Sequence, residues 1–406
     1  MPHALPRHAL AAIAASLILI ISPVRAQDEV RALWVVRTTL TSPSAISTMV
    51  AAAQHGGFNT LLVQVRGRGD AYYQRGTEPR PASLAAQPDF DPLATVIAKA
   101  HEAGLKVHAW INVNLVASAA ELPGAREHVV YRHPEWLMVP RALADELSTI
   151  DPHSPGYVGR LARYARSQSA EVEGLYLSPI APESAAYTTA VVRDIAQRYD
   201  VDGVHLDYIR YPTSDFDYSR DTLAAFRESV VPELTAAEVR GYDAEGPAGG
   251  PFVYTQAFPE RWRRFRAARL TALLTSLRTS VKAVKPAAII SVAVVPDPRE
   301  AATHRLQDWR AWVDTGLVDV VCPMAYTTDP AVFAAQIAAA KQIAGVHPLW
   351  AGIGAYRLSS GQIVENVQAA RRLGVGGIIL FSYDSLADSA HGPEYVAQVG
   401  RAAFQF

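Results

Sequence analysis

Segment 202–212 reads Asp-Gly-Val-His-Leu-Asp-Tyr-Ile-Arg-Tyr-Pro and holds the residues best suited to chemistry. Its first half alternates as a strand does, with Val204 and Leu206 on one face and His205 and Asp207 on the other. Two ionisable side chains on one face of an apolar strand are costly to bury unless that face opens onto a polar site. A carboxylate at such a strand end can serve as a general acid or base, so we interpret Asp207 as catalytic. The alternative is a structural carboxylate that only holds a nearby arginine.

Two earlier strand candidates, 60–66 and 106–112, show the same alternation. One face of each is uniformly apolar and suits surrounding helices, and the other becomes polar toward the strand's end. That second face carries Leu62, Gln64, Arg66, His108, Trp110 and Asn112. A one-residue shift in register would reverse each pattern, so the shared parity predicts that three neighbouring strands deliver polar side chains to one mouth.

Eight short apolar stretches have the length and composition of strands: 31–36, 60–66, 106–112, 203–209, 288–295, 318–326, 348–354 and 376–383. Stretches with helical period lie between them, and several end at a glycine just before the next strand. Strand and helix alternating eight times predicts an α/β fold, a (β/α)8 TIM-like barrel. The connections after the third and fourth strands, 116–182 and 213–260, are long, so we expect insertions there that extend from the C-terminal face as walls of a cleft.

The N-terminal residues have the plan of a secretory signal peptide. Arg7 and His8 precede an apolar run at 9–21, and Val24-Arg25-Ala26 offers small residues for cleavage. We therefore expect a signal peptide over 1–26 and a single barrel domain over 27–406, exported to the periplasm or the extracellular space. An uncleaved N-terminal anchor is the alternative. No other stretch has the length of a membrane span, so no membrane partner is expected after cleavage.

Composition and motifs limit the kinds of partner and cofactor that the chain could bind. The formal net charge is −1 and no basic stripe occurs, which argues against nucleic acid. Cys322 is the one cysteine, so no intramolecular disulfide can form, and we interpret it as a buried structural thiol. Phosphate-binding glycine loops, Walker motifs and a Gly-x-Ser-x-Gly elbow are absent from the sequence, so no cofactor is predicted.

Taken together, several motifs resemble the glycosyl-hydrolase-like 10 family of exported bacterial proteins. They are Arg31-Ala-Leu-Trp-Val-Val, Val65-Arg-Gly-Arg-Gly-Asp70-Ala-Tyr-Tyr, Phe90-Asp-Pro-Leu, Ala100-His-Glu-Ala-Gly-Leu-Lys-Val-His-Ala-Trp-Ile-Asn112 and Tyr199-Asp-Val-Asp-Gly-Val-His-Leu-Asp-Tyr-Ile-Arg-Tyr-Pro212, with a weaker match at Pro323-Met-Ala-Tyr326. The resemblance implies a TIM-like barrel that hydrolyses O-glycosidic bonds of a bacterial polysaccharide such as peptide-free peptidoglycan glycan strands. Many relatives carry a second acidic residue where this chain has Tyr208, which is a departure from the family pattern.

Glycoside hydrolysis generally needs two carboxyl groups, one to protonate the leaving oxygen and one to attack the sugar or activate water. Asp207 is the first choice, as general acid/base. Asp384, at the end of the last strand, and Asp70, after the second strand, are the first candidates for the other carboxyl group, and Glu78 and Glu183 are the alternatives. The predicted substrate-binding residues are Arg66, Glu78, His108, Trp110, Asn112, His205, Tyr208, Tyr326 and Tyr383.

Two other functions fit the same residues. His108, His205 and Asp207 could ligate zinc in a metal-dependent hydrolase or deacetylase, although neither a His-x-His strand nor a His-Glu-x-x-His helix is present, and no metal is predicted. A non-catalytic glycan-binding barrel would also account for Tyr208. In a glycan-binding site of either kind, Arg68 and Arg210 could contact acidic sugar substituents such as a lactyl carboxylate; the alternative is a solvent-facing or ion-paired role.

Overall fold

The computed structural model describes residues 29–74, 76–249 and 252–404, with the backbone alone over 245–249. The predicted signal peptide, 1–26, lies outside the described residues. Within the described ranges, no helix combines the length and the apolar character needed to cross a membrane.

Eight parallel strands close into a ring, which confirms the predicted α/β barrel. The described residues form β1 Val30–Val35, β2 Thr60–Arg66, β3 Lys106–Asn112, β4 Leu115–Ser118, β5 Gly174–Tyr176, β6 Gly203–Asp207, β7 Ile289–Val294, β8 Val320–Ala325, β9 Trp350–Ile353 and β10 Gly377–Phe381. The ring runs β1, β10, β9, β8, β7, β6, β3, β2 and returns to β1. All eight predicted strands are present, with bounds that differ by a few residues.

Helices surround the ring. The described helices are α1 Pro43–His55, α2 Pro92–Glu102, α3 Val129–Arg132, α4 Arg141–Ser148, α5 Tyr157–Ser167, α6 Pro182–Arg198, α7 Arg220–Val230, α8 Ala236–Gly249, α9 Val253–Ala257, α10 Pro259–Val284, α11 Pro298–His304, α12 Trp309–Asp314, α13 Pro330–Ala344, α14 Ser360–Arg372, α15 Tyr383–Leu386 and α16 Pro393–Phe404. Several begin with a side-chain cap and a proline in the first turn; in α2 the carboxylate of Asp91 accepts a hydrogen bond from the amide of Ala94. Gly104 and Gly374 follow α2 and α14 with φ of 75° and 69°, a left-handed conformation that ends a helix at low cost for glycine.

The two faces of the strands separate as their alternation predicts. Val204 and Leu206 of β6 are fully buried in the large apolar layer between the strands and the helices. The lumen holds a second, smaller cluster formed by Ala32, Trp34, Leu62, Trp110, Val320, Cys322, Trp350 and Ile379. The barrel interior is therefore a packed core.

The connections from β3 to β6 and from β6 to β7 contain their own elements. The first holds the antiparallel pair β4 and β5, and the second holds the helices α7 to α10. Both contribute to one apolar cluster, in which Leu161 of the first connection lies with Phe226 and Trp262 of the second. The two connections thus share a core beside the barrel.

Candidate active site

A cavity of about 220 Å³ opens at the carboxyl ends of the barrel strands. Residues near or just after the ends of six strands line it: Trp34, Val36, Arg37, Gln64, Arg68, Trp110, Asn112, Asp207, Tyr208, Arg210, Met324, Tyr326 and Phe381. Asp207 is the one acidic side chain in this lining. Aromatic rings form much of the remaining wall, and Tyr326 stacks on Phe381 with 5.4 Å between ring centroids. A concave site with aromatic walls and a buried carboxyl group is suited to a sugar ring.

Asp207 is the last residue of β6, and its carboxyl group is held from two sides. The indole nitrogen of Trp110 donates to Oδ2 at 3.1 Å, and the amide of Tyr208 donates to Oδ1 at 2.6 Å. Burial raises the pKa of Asp207, whereas the charge of Arg210 and these two hydrogen bonds oppose the rise. The negative charge of Asp207 in turn contributes to a raised pKa of Tyr326, whose main cause is burial.

Tyr208 carries a backbone conformation that is rare for a residue with a side chain. Its φ is 51°, and the strand ends here, two residues earlier than the alternation predicts. The amide of Asn114 donates to the carbonyl oxygen of Tyr208 at 3.2 Å, so the connection after β3 helps to hold the turn. Non-glycine residues in this region concentrate at functional sites, where surrounding contacts compensate the strain.

Arg210 packs its guanidinium group over the Tyr208 ring, 4.4 Å from the centroid. Its other side meets Glu173 of the long first connection, with 3.0 Å between Nη2 and Oε1. Sequence reasoning missed Glu173, because nothing in the local pattern indicates that this residue reaches the segment after β6. Arg37, Gln64, Met324 and Phe381 were also not predicted as site residues; their signal was their position at or just after strand ends.

His205 and His108 lie deeper in the lumen and do not line the cavity. Trp34 donates from its indole nitrogen to Nε2 of His205 at 3.1 Å, which leaves the ring proton on Nδ1, 2.9 Å from Oγ of Ser291. Burial lowers the pKa of His205 to about 3 and that of His108 to about 4, so both rings are neutral near pH 7. His108 packs against Trp350, with ring centroids 5.5 Å apart.

The zinc alternative requires His108, His205 and Asp207 to converge on one point. Both ring nitrogens of His205 have hydrogen-bond partners instead, and Asp207 accepts from Trp110. Across the ranges that the structure describes, no group of three or more His, Cys, Asp or Glu side chains is arranged to hold a metal ion.

Arg66 and Glu78 form a buried pair behind the cavity. Arg66 is fully buried and donates to the Glu78 carboxylate at 2.7 to 2.9 Å, while Tyr187 donates to the same carboxylate at 3.0 Å. Arg66 also donates to the carbonyl oxygens of Asn112 and Val113. This pair therefore supports the end of β3 and does not face the cavity.

The two candidates for the second carboxyl group lie outside the cavity lining. Asp384 accepts from the amide of Val36 at 2.7 Å and from the hydroxyls of Thr38 and Thr39 at 2.9 and 2.6 Å, which ties α15 to the end of β1. Asp70 accepts from the amide of Arg68 at 2.9 Å.

The second oxygen of Asp70 lies 4.0 Å from the guanidinium group of Arg37. Arg37 and Arg68 both line the cavity, so Asp70 contacts two residues of the lining, whereas the three hydrogen bonds of Asp384 include only one such residue, Val36. Tyr383, predicted to bind substrate, is buried at the start of α15 and does not line the cavity either.

The structure thus brings together five of the predicted site residues at the cavity: Trp110, Asn112, Asp207, Tyr208 and Tyr326. Seven others do not line it: Asp70, Asp384, Arg66, Glu78, His108, His205 and Tyr383. Strand parity correctly assigns His108 and His205 to the lumen but does not give their depth. Arg66 follows a register shift at the end of β2, and the other four residues lie outside the barrel strands, where parity predicts nothing.

A closed parallel ring with its cavity at the carboxyl ends of the strands defines the class of (β/α)8 barrels that carry their sites at this mouth. The family model described as Glycosyl hydrolase-like 10 matches residues 29–368, and the chain belongs to this family. The resemblance found in the sequence motifs is confirmed. Membership makes the chain a glycosyl hydrolase-like protein, and the substrate class that the family implies is a glycan.

Two relatives carry related names. The chain is 23% identical over 294 residues to the glycosyl hydrolase YngK of Bacillus subtilis, which covers 67% of this chain and 47% of YngK. It is 24% identical over 291 residues to the glycosyl hydrolase DigH of Escherichia coli, which covers 67% of this chain and 55% of DigH. The chain therefore spans about half the length of the curated relatives it matches.

Solved structures share the fold. The PgaB (BpsB) glycoside hydrolase domain from Bordetella bronchiseptica superposes with a TM-score of 0.63 at 14% identity, covering 91% of this chain and 98% of that chain. The catalytic domain of a beta-amylase from Paenibacillus polymyxa gives 0.58 at 10% identity, covering 93% and 98%. At these identities the likeness establishes the barrel architecture alone.

Proposed function

We propose that this chain is an exported glycoside hydrolase that cleaves O-glycosidic bonds of a bacterial polysaccharide, with Asp207 as general acid/base. The observation that carries the proposal is the buried carboxyl group of Asp207, the one acid in the lining of an aromatic-walled cavity at the barrel mouth. Family membership supports a glycan as the substrate. Peptide-free peptidoglycan strands are the first substrate to test, since the motif resemblance implies them.

In this mechanism the protonated Asp207 donates its proton to the glycosidic oxygen as the bond to the anomeric carbon breaks. Burial favours the protonated form that this step requires. As this bond breaks, a second carboxylate activates a water that attacks the anomeric carbon, or attacks that carbon itself to form an intermediate that water then hydrolyses. We assign this role to Asp70 ahead of Asp384, because all three contacts of Asp384 hold the backbone and side chains of the segment after β1.

The test is incubation of peptide-free glycan strands, with a panel of other polysaccharides, and measurement of new reducing ends. Wild type should release them, and Asp207→Asn should release at least about a hundredfold fewer, the usual contribution of a positioned acid. Asp384→Asn is the matched control and should keep the activity. Its free energy of unfolding should fall by about 1–3 kcal/mol, because the amide retains only one of the two carboxylate oxygens that accept from the Val36 amide and the two threonine hydroxyls. Equal product from wild type and Asp207→Asn would refute the assigned role.

The glycan-binding barrel is the second candidate, and the presence of one carboxyl group in the lining favours it. Co-sedimentation with the same glycan strands separates the two functions. Binding without any new reducing ends, in wild type as in Asp207→Asn, would establish a binding protein.

A further inference from the structure

Three guanidinium groups line the same small cavity as Asp207: Arg37 after β1, Arg68 after β2 and Arg210 after β6. Arg210 has a carboxylate partner in Glu173 at 3.0 Å, and Arg37 has only a long contact of 4.0 Å with Asp70. Arg68 forms no ion pair within 4.0 Å with any described carboxylate. The cavity lining therefore carries more positive than negative charge.

The guanidinium group of Arg68 lacks part of its hydrogen bonding. Its Nη1 donates to the carbonyl oxygen of Gly67 at 3.0 Å, while its buried Nε has no hydrogen-bond partner. Burial and, next, the positive charge of Arg37 lower the pKa of Arg68, which is the effect of two like charges side by side. Buried polar groups in native structures normally have partners, so the unpaired nitrogen and the like-charged neighbour together leave this residue of the cavity lining without a compensating negative charge.

Arg210 shows the same feature independently. The residue is 7% exposed, lines the cavity, and its Nε also lacks a partner. Asp207 does not satisfy these groups: its oxygens accept from Trp110 and from the Tyr208 amide, and it forms no ion pair within 4.0 Å with an arginine. An anion in the cavity would place negative charge beside these guanidinium groups.

The remaining walls indicate what carries this anion. Trp34, Trp110 and Tyr326 offer rings of the kind on which pyranose faces stack, within a volume of about 220 Å³. A carboxylate matches the planar fork of a guanidinium group through paired hydrogen bonds.

We propose that Arg37, Arg68 and Arg210 form a subsite for a carboxylate carried by the sugar that lies beside Asp207. The substrate would then be an acidic glycan, whether its carboxylate belongs to a uronic acid or to an ether-linked lactyl group. The identity of the ligand as a glycan rests on the proposed function; the preference for a negative charge does not.

The test is calorimetric titration of the full chain carrying Asp207→Asn, which prevents turnover. Two matched ligand pairs are compared: glucuronate-containing against all-glucose oligosaccharides, and N-acetylmuramate-containing against all-N-acetylglucosamine oligosaccharides. At least one acidic member should bind about tenfold more tightly than its neutral partner, the effect of one charge-assisted hydrogen bond, and the pair that shows the preference identifies the source of the carboxylate.

Arg68→Gln should remove this preference by weakening the acidic ligand about tenfold and leaving the neutral one unchanged. Arg68→Lys should restore part of it, because the charge returns without the fork. Arg193→Gln, at an exposed position on α6, is the matched control and should change neither affinity. Thermal melts of each variant identify any that fails to fold.

Equal affinity for both members of each pair, or an acidic preference that persists in Arg68→Gln, would overturn the subsite. The two proposals fail separately. A wild type that hydrolyses neutral glycans without preference removes the subsite and leaves the hydrolase. A wild type that hydrolyses nothing while its Arg68-dependent preference persists removes the hydrolase and leaves the subsite.

Discussion

The pKa of Asp207 is subject to opposing effects. Its burial at the end of β6 favours the protonated acid, whereas Arg210 and the two donors on its oxygens favour the carboxylate. A group that must give up a proton and recover it benefits from such a balance. Arg210 is itself held by Glu173 and by the ring of Tyr208, so the connection after β3 acts on the carboxyl group through a positioning arginine.

Replacing Arg210 with glutamine should move the basic limb of the pH profile to higher pH. The protonated form of Asp207 is the active acid, so activity falls as pH rises through its pKa. Loss of the positive charge removes an influence that lowers this pKa, and the protonated form then persists to higher pH. The measurement is kcat/KM against pH for wild type and Arg210→Gln, with Arg193→Gln as control. An unchanged limb in Arg210→Gln would show that this arginine does not tune Asp207.

The sequence predicts the site residues on the strands but not the contacts of residues outside them. Trp110, Asn112 and Asp207 follow from strand alternation alone, since the period of two fixes which face they occupy. Glu173 does not follow from any local pattern, because its pairing with Arg210 depends on how a long connection returns to the barrel. Asp384 has the position of a catalytic residue in the sequence, but its hydrogen bonds are formed with the segment after β1, which the sequence does not reveal.

At the scale of the elements, glycines create the room that large lumen side chains need. Gly203 begins β6 beside His108 of β3, and a Cβ at this position would lie 2.6 Å from the His108 ring and 2.7 Å from the carbonyl oxygen of Ile289. Gly352 similarly accommodates the ring of Trp34, which a Cβ would approach to 3.0 Å. Small and large residues on neighbouring strands thus fit each other inside the ring.

Gly203→Ala should therefore destabilise the barrel by about 1–3 kcal/mol, since the backbone of β7 cannot move away as a flexible side chain could. Gly241→Ala in α8 is the matched change, because this glycine is exposed with nothing near the added Cβ. It should stabilise the protein by about 0.5–1 kcal/mol through helix propensity. Urea unfolding of both variants gives the two free energies. Loss of similar size in both would mean that the lumen is not tightly packed at Gly203.

The elements of the barrel are well predicted, and those of the connections are not. The ring strands are apolar stretches bounded by glycines and polar turns, which sequence patterns detect. The pair β4 and β5 is short, and its partners are separated by the whole first connection, so no local signal indicates their pairing. The predicted strand at 203–209 ends at Asp207 because Tyr208 adopts a left-handed conformation that the alternation cannot show.

Across the whole molecule, two neutral histidines in the lumen couple folding to pH. Their pKa values in the folded protein are about 3 for His205 and about 4 for His108, below the ordinary 6.5. Between pH 4 and 6.5 the unfolded chain therefore binds more protons than the folded one, so stability is complete above this window and falls as pH decreases through it. Asp207 and Asp217, whose pKa values are raised by burial, act in the opposite direction.

A comparison of variants isolates the histidine contribution. His205→Gln should reduce the slope of unfolding free energy against pH by about 1.4 kcal/mol per pH unit between pH 4 and 6.5, whatever its absolute stability. Val346→Ala, at an exposed position without a titratable group, should leave the slope unchanged. Urea titrations across this pH range measure both. A slope in His205→Gln equal to that of wild type would mean that this ring is protonated in the folded protein.

Ring closure joins two strands that are far apart in the chain, since β1 pairs with β10 over Val30 to Trp34 and Gly377 to Phe381. The family match stops at residue 368, before β10 begins. A fragment that ends at that point would leave β1 and β9 each with an open edge, and open edges recruit other chains. Closure of the barrel therefore depends on β10, and a truncation before this strand would leave an unclosed sheet prone to aggregate.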